Sequence, residues 1–182
     1  MIVNPHDCCL LIIDIQKKLV ENIFNKDELV KITEHLIVAS EKLELPVIFS
    51  EQYPEGLGLT VDSLNTRLSE INSEKITKTS FSCFGSNDFE DKFNKLNRKQ
   101  VILCGIETHI CVLQTAFDLV DRSYEVFLVE DATGSRKESH KLLGLNRMRS
   151  FGVVISNFEM LIFELLRDSK NPSFKEFSSL IK

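Results

Sequence analysis

Val101-Ile-Leu-Cys-Gly-Ile-Glu-Thr-His-Ile-Cys111-Val-Leu-Gln-Thr-Ala-Phe-Asp-Leu-Val120 is the stretch that decides the fold. Its first four residues are an unbroken apolar run, the pattern of a strand buried on both faces. Gly105 interrupts the run. From Ile110 the apolar residues recur at Leu113, Phe117 and Val120, which is helical spacing. Between strand and helix lies Ile106-Glu-Thr-His-Ile-Cys111, with Thr108 at the expected N-cap. Cys111 then falls in the first helical turn, where unpaired N–H groups and the positive helix end favour an anion. A lowered thiol pKa is expected there, which makes Cys111 a candidate nucleophile. The alternative is that its sulfur only packs against a strand.

Outward from this stretch the same alternation repeats. Cys8-Cys-Leu-Leu-Ile-Ile-Asp14 is a second apolar run, ending on a carboxylate. A helix is predicted from about Glu28 to Glu44, then a short strand, Pro46–Ser50, opening into the loop Glu51-Gln-Tyr-Pro-Glu-Gly-Leu-Gly58. A helix near 61–70, a strand ending at Lys78 and a helix near 87–96 precede the central stretch. After it come a strand at 124–129, a helix at 137–150, a strand at 153–155 and a helix to about Leu166, capped by Ser156 or Asn157. In the tail, Phe174, Phe177 and Ile181 share one helical face, which either docks on its own body or meets another subunit. Short apolar strands alternating with amphipathic helices predict an α/β fold of one domain over residues 1–182. Its expected form is a three-layer, Rossmann-like α/β/α arrangement: a six-stranded parallel sheet of order 3-2-1-4-5-6 with helices on both faces.

In such a sheet, ligands bind beyond the carboxyl ends of the strands, at the switch point between strands one and four. Asp14 and Cys111 are expected to face each other there, with Lys78 and Gln52 coming in from the side. Singly, Asp14 has a structural alternative as a helix cap, and Lys78 as a solvated strand end. Together with Cys111 they supply a nucleophile, a proton carrier and a stabilising cation.

Composition narrows the function classes. The chain is 43% hydrophobic and 27% charged, with a net charge of −5. That balance gives no reason to expect nucleic acid or an anionic membrane as partner. No apolar run approaches the roughly 18 residues needed to cross a bilayer, and no secretory signal is evident at the N-terminus. The five cysteines, at 8, 9, 83, 104 and 111, include no C-x-x-C pair, so a reducing cytoplasm is expected. The four His residues have no metal-ligand spacing, and no metal is expected.

Three motifs, Leu10-Leu-Ile-Ile-Asp14-Ile-Gln16, Lys78-Thr-Ser-Phe-Ser82 and Gly105-Ile-Glu-Thr-His-Ile-Cys111-Val112, resemble the isochorismatase-like cysteine hydrolases. That superfamily includes nicotinamidases and N-carbamoylsarcosine amidases. The loop from Glu51 and the tail from Asn171 look closest to its isochorismatase domain-containing branch. The resemblance implies a triad of Asp14, Lys78 and Cys111, a thioester on Cys111, and an amide-like C–N bond in a small molecule as target. It implies a cis peptide at Ile106–Glu107 and an oxyanion hole from the N–H groups of Glu107 and Cys111. Gln52, Tyr53, Phe81 and Thr108 are candidate substrate contacts, although core packing is an alternative for the aromatic pair. No cofactor is implied, and a homo-oligomer is expected. The segment Ser50-Glu-Gln-Tyr-Pro54 lacks the His residues of the nicotinamidase metal site. A non-catalytic or weakly active binding protein that retains the fold is the competing expectation.

Overall fold

The computed structural model describes residues 1–71 and 73–181. Its six strands are β1 (Cys8–Ile13), β2 (Val47–Gln52), β3 (Ser73–Lys78), β4 (Gln100–Ile106), β5 (Glu125–Gly134) and β6 (Val154–Ser156). They form one sheet of order β3-β2-β1-β4-β5-β6 with every pair parallel, as expected from the alternation of strands and helices. Every residue of β1 and of β4 is buried. Alternate β1 side chains serve opposite layers: Cys8, Leu10 and Ile12 join one core, Cys9, Leu11 and Ile13 the other. This two-sided burial is why the central strands read as continuous apolar runs.

The first core is covered by α2 (Lys26–Lys42), α8 (Phe158–Leu166) and α9 (Phe174–Ile181). The second is covered by α5 (Phe89–Lys95), α6 (Leu113–Asp121) and α7 (Glu138–Ser150). Short helices α1 (Lys17–Val20), α3 (Pro54–Leu57) and α4 (Asp62–Glu70) fill connections. Asn157 caps α8, its side-chain oxygen accepting the Met160 N–H at 2.8 Å. The tail helix docks on its own chain: Phe177 is fully buried in the first core and Phe174, Leu180 and Ile181 pack beside it. Burying such a Phe contributes about 2–3 kcal/mol, enough to hold a two-turn helix in place. The last residue of the predicted tail, Lys182, lies outside the described residues.

Two boundaries differ from expectation. The chain around Glu51–Gly58 is not all loop: β2 continues to Gln52 and α3 follows at once. β5 does not stop at Val129 but runs on to Gly134, because a register shift between Leu103 and Gly105 lets Gly105 and Ile106 pair with Thr133 and Gly134.

Candidate active site

β1 and β4 are neighbours, and the carboxyl ends of both open on the switch-point crevice. Asp14 follows β1 directly with φ +52, a left-handed conformation that Asp tolerates better than most residues. It is fully buried. One carboxylate oxygen accepts the Ser50 hydroxyl at 2.7 Å, and the other accepts Lys78 Nζ at 2.6 Å. Asp14 therefore does not cap α1; Gln16 stands at that helix start.

Lys78 ends β3 two strands away, and its ammonium is as buried as the carboxylate it meets. It donates also to Gln52 Oε1 (2.8 Å) and to the carbonyls of Phe81 (3.1 Å) and Ser80 (3.3 Å). Three N–H bonds thus face four acceptors, so the cation is fully solvated by protein. A buried pair with this many partners offsets its desolvation, whereas removing one member would cost about 3–5 kcal/mol.

Cys111 lies beside this pair, 7% exposed. Its thiol lies close enough to the Asp14 carboxylate to feel its charge. Burial pushes the thiol above its ordinary pKa, and the Asp14 carboxylate pushes it further; Lys78 opposes both. This corrects the expected lowered pKa. Burial therefore favours the protonated sulfur.

The expected cap is also corrected. Residues 108–112 wind as a π-type turn, with Glu107 at the N-cap position. Thr108 sits inside the turn, fully buried, and its hydroxyl has no hydrogen-bond partner among the described residues. The Glu107 carbonyl accepts the N–H groups of Ile110 (3.0 Å) and Val112 (3.3 Å), passing over that of Cys111. The Ile106–Glu107 peptide bond is cis. His109 faces away from the sulfur, with Nδ1 at 3.0 Å from Ser135 Oγ and its ring against His140.

The remaining candidates divide. Gln52 is committed at both ends, to Lys78 and to the Thr79 carbonyl (2.6 Å). Tyr53 and Phe81 are 53% and 55% exposed, so neither is core. Phe84 instead packs on Phe89 and Phe93. Among the described residues no three His, Cys, Asp or Glu side chains are grouped to hold a metal ion. None of the described helices is long and apolar enough to cross a membrane.

Ser50 escaped the sequence reading. Its signal was position: it pairs with Ile13 in register, which puts its hydroxyl next to the residue that follows. Cys83 lies nearby, fully buried, its backbone N–H donating to Thr115 Oγ1 at 3.1 Å. Burial pushes its thiol up to about 11, so it stays protonated.

The isochorismatase domain model matches residues 8–159. The chain belongs to the isochorismatase family. It is 38% identical over 172 residues to isochorismatase domain-containing protein 2 of Xenopus laevis, covering 94% of this chain and 82% of that protein. Among solved structures, the MAR1 ribonuclease of Caenorhabditis elegans superposes with a TM-score of 0.92 at 36% identity, over 100% of this chain and 92% of that one. The Escherichia coli YcaC gene product, described as an octameric hydrolase of unknown specificity, gives a TM-score of 0.93 at 22% identity, covering 100% and 89%. At that identity the likeness is one of fold. All three relatives match far beyond the motif segments, so the family's hydrolase scaffold is present over essentially the whole chain.

Proposed function

We propose that this isochorismatase-family chain is a cysteine hydrolase that cleaves an amide-like C–N bond of a small molecule. The observation that carries the reading is the meeting of the Cys111 thiol with the hydrogen-bonded Asp14–Lys78 pair in one buried group. As substrate binds, Asp14 takes the thiol proton and the sulfur attacks the carbonyl carbon. The oxygen becomes an oxyanion, for which the N–H groups of Glu107 and Cys111 are the proposed donors. Collapse expels the amine, which receives the proton from Asp14, and leaves a thioester on Cys111. Water then attacks the thioester, again giving its proton to Asp14. The acid departs and the proton returns to sulfur. Asp14 carries every proton in this cycle, so no step calls for a cofactor. Lys78 fixes the orientation of Asp14 and balances its charge.

The C. elegans neighbour bears the name ribonuclease, so RNA is the second reading. A net charge of −5 and a deeply buried nucleophile weigh against a polyanionic chain as substrate. A homo-oligomer is part of the proposal, since Leu142 and Leu143 expose adjacent apolar side chains on α7. Five free cysteines suit a reducing cytoplasm.

The test is a panel of small amides, ureido compounds and an RNA oligonucleotide, run on wild type, Cys111→Ala and Asp14→Asn. Amide turnover is expected in the wild type, falling about 10³-fold or more in either variant. Turnover indifferent to Cys111, or cleavage of RNA alone, would overturn the reading. No turnover at all, with small molecules still bound, would support a binding protein that retains the fold.

A further inference from the structure

β2 runs on past the end of its neighbour. Ile13, the last residue of β1, pairs with Ser50, and β2 continues through Glu51 to Gln52. On the β1 side the main chain of Gln52 is therefore left without a strand to pair with. Gln16 supplies the missing partner. It lies two residues after Asp14 and is fully buried. Its Oε1 accepts the Gln52 N–H at 2.7 Å, and its Nε2 donates to the Gln52 carbonyl at 2.9 Å. The second Nε2 hydrogen goes to the Gly58 carbonyl at 2.6 Å. A primary amide carries the donor and acceptor of a peptide group plus one further donor, and here each is used. Asn would fall one methylene short of these partners. Glu would lack both donors and bury a charge.

The grip on Gln52 matters because of what its side chain holds. Gln52 Oε1 accepts Lys78 Nζ at 2.8 Å, and Gln52 Nε2 donates to the Thr79 carbonyl at 2.6 Å. Around the Lys78 ammonium the two shortest bonds are those to Asp14, at 2.6 Å, and to Gln52. A lysine carries its charge on a flexible four-carbon stem, so a single short bond lets it swing and a second one fixes it. The contacts close a circuit from Asp14 to Lys78, to Gln52 and to Gln16. The circuit returns to Asp14 along the chain, where the Asp14 carbonyl accepts the Gln16 N–H at 2.7 Å.

We propose that Gln16 is a positioning residue of this site. By completing the end of β2 it fixes Gln52, and through Gln52 the ammonium that orients Asp14 beside Cys111. This deepens the hydrolase reading and rests on it.

The test is a double-mutant cycle on the alkylation of Cys111 by iodoacetamide, with Gln16→Ala, Gln52→Ala and the two combined. Each single substitution is expected to slow alkylation about fivefold, and the pair no more than Gln52→Ala alone. An amide that only supports the fold would slow both backgrounds by the same factor. That result, or an unchanged rate in Gln16→Ala, would overturn the proposal. Gln16→Asn runs through the same cycle and decides the matter if the alanine protein does not fold. A second readout is independent of the nucleophile: acetylation of Lys78 by acetic anhydride, followed by mass spectrometry. Lys78 should be protected in wild type and labelled in Gln16→Ala and in Gln52→Ala. Thr60→Ala removes a hydroxyl bonded to Glu51, loosening the same loop at its far end, and should leave Lys78 protected. Lys78 labelled as strongly in Thr60→Ala as in Gln16→Ala, or protected in every variant, would contradict the assignment. If wild-type Cys111 reacts no faster than a free thiol, the hydrolase reading fails and the Lys78 labelling still decides the role of Gln16.

Discussion

Asp14 is held from two directions, by Ser50 and by Lys78, and it faces the Cys111 thiol on a third. Each contact has its own effect. Ser50 and Lys78 each hold one carboxylate oxygen of Asp14 and so fix its orientation. Burial and that same carboxylate keep the Cys111 thiolate from accumulating at neutral pH. Alkylation of Cys111 should therefore depend on Asp14 acting as base. Asp14→Asn is expected to slow it at neutral pH about tenfold or more, because the buried thiol then has no base beside it. Ser50→Ala should slow it less, by letting the carboxylate turn away, and Ser50→Thr should restore it. Iodoacetamide labelling at neutral pH reads this directly, and an unchanged rate in Ser50→Ala would reduce Ser50 to packing. Asp14 and Cys111 were legible in the sequence from their place after apolar strands, and Lys78 from the end of a short mixed one. Ser50 was not, because its partner across β1 is fixed only when the two strands pair.

The site depends on how closely β1 and β4 approach, and Gly105 permits that approach. Its φ is +121, and a Cβ there would lie 2.1 Å from the Ile13 carbonyl oxygen. An atom cannot occupy that space, so Gly105→Ala must force the two strands apart. The expected cost is about 3 kcal/mol or more, read from urea denaturation. Any folded fraction should also have lost Cys111 reactivity, because β1 carries Asp14 and β4 leads into Cys111. A variant as stable and as reactive as wild type would contradict this account. Strands and helices themselves followed from apolar periodicity. The turns did not: residues 108–112 wind in a π-type turn in place of a regular helix start, and the extension of β5 arises from its pairing with β4. That is why Thr108 looked like a cap and became a buried residue of the turn.

At the scale of the whole molecule, two histidines link stability to pH. Burial lowers the pKa of His35, which packs against Phe158 on α8, with Lys31 adding to the effect and Glu34 opposing it. Burial likewise lowers His109, with Glu107 opposing and His140 and Arg136 adding. In both cases the folded pKa lies below the unfolded value near 6.5. The unfolded chain therefore takes up protons first as pH falls. The stability associated with the neutral rings is complete above about pH 6.5 and drains away below it. Asp131, raised chiefly by burial, works in the opposite direction but from a lower starting value of 3.8. Between pH 7.5 and 5.5 the melting temperature is expected to fall by about 2–4 °C, and less in His35→Gln. A melting temperature that does not change across that range would show that folded and unfolded states take up protons equally, against this account.

Apolar runs, their spacing and the polar residues that end them were enough to determine the doubly wound sheet, its strand order and three residues at its carboxyl edge. Those are local patterns, set by which faces must be hidden from water. The protonation of Cys111, the use of Ser50 and the hold of Gln16 on Gln52 were decided only by the folded structure. Each depends on distances between segments far apart in sequence, and on the loss of solvent that burial imposes on a charge.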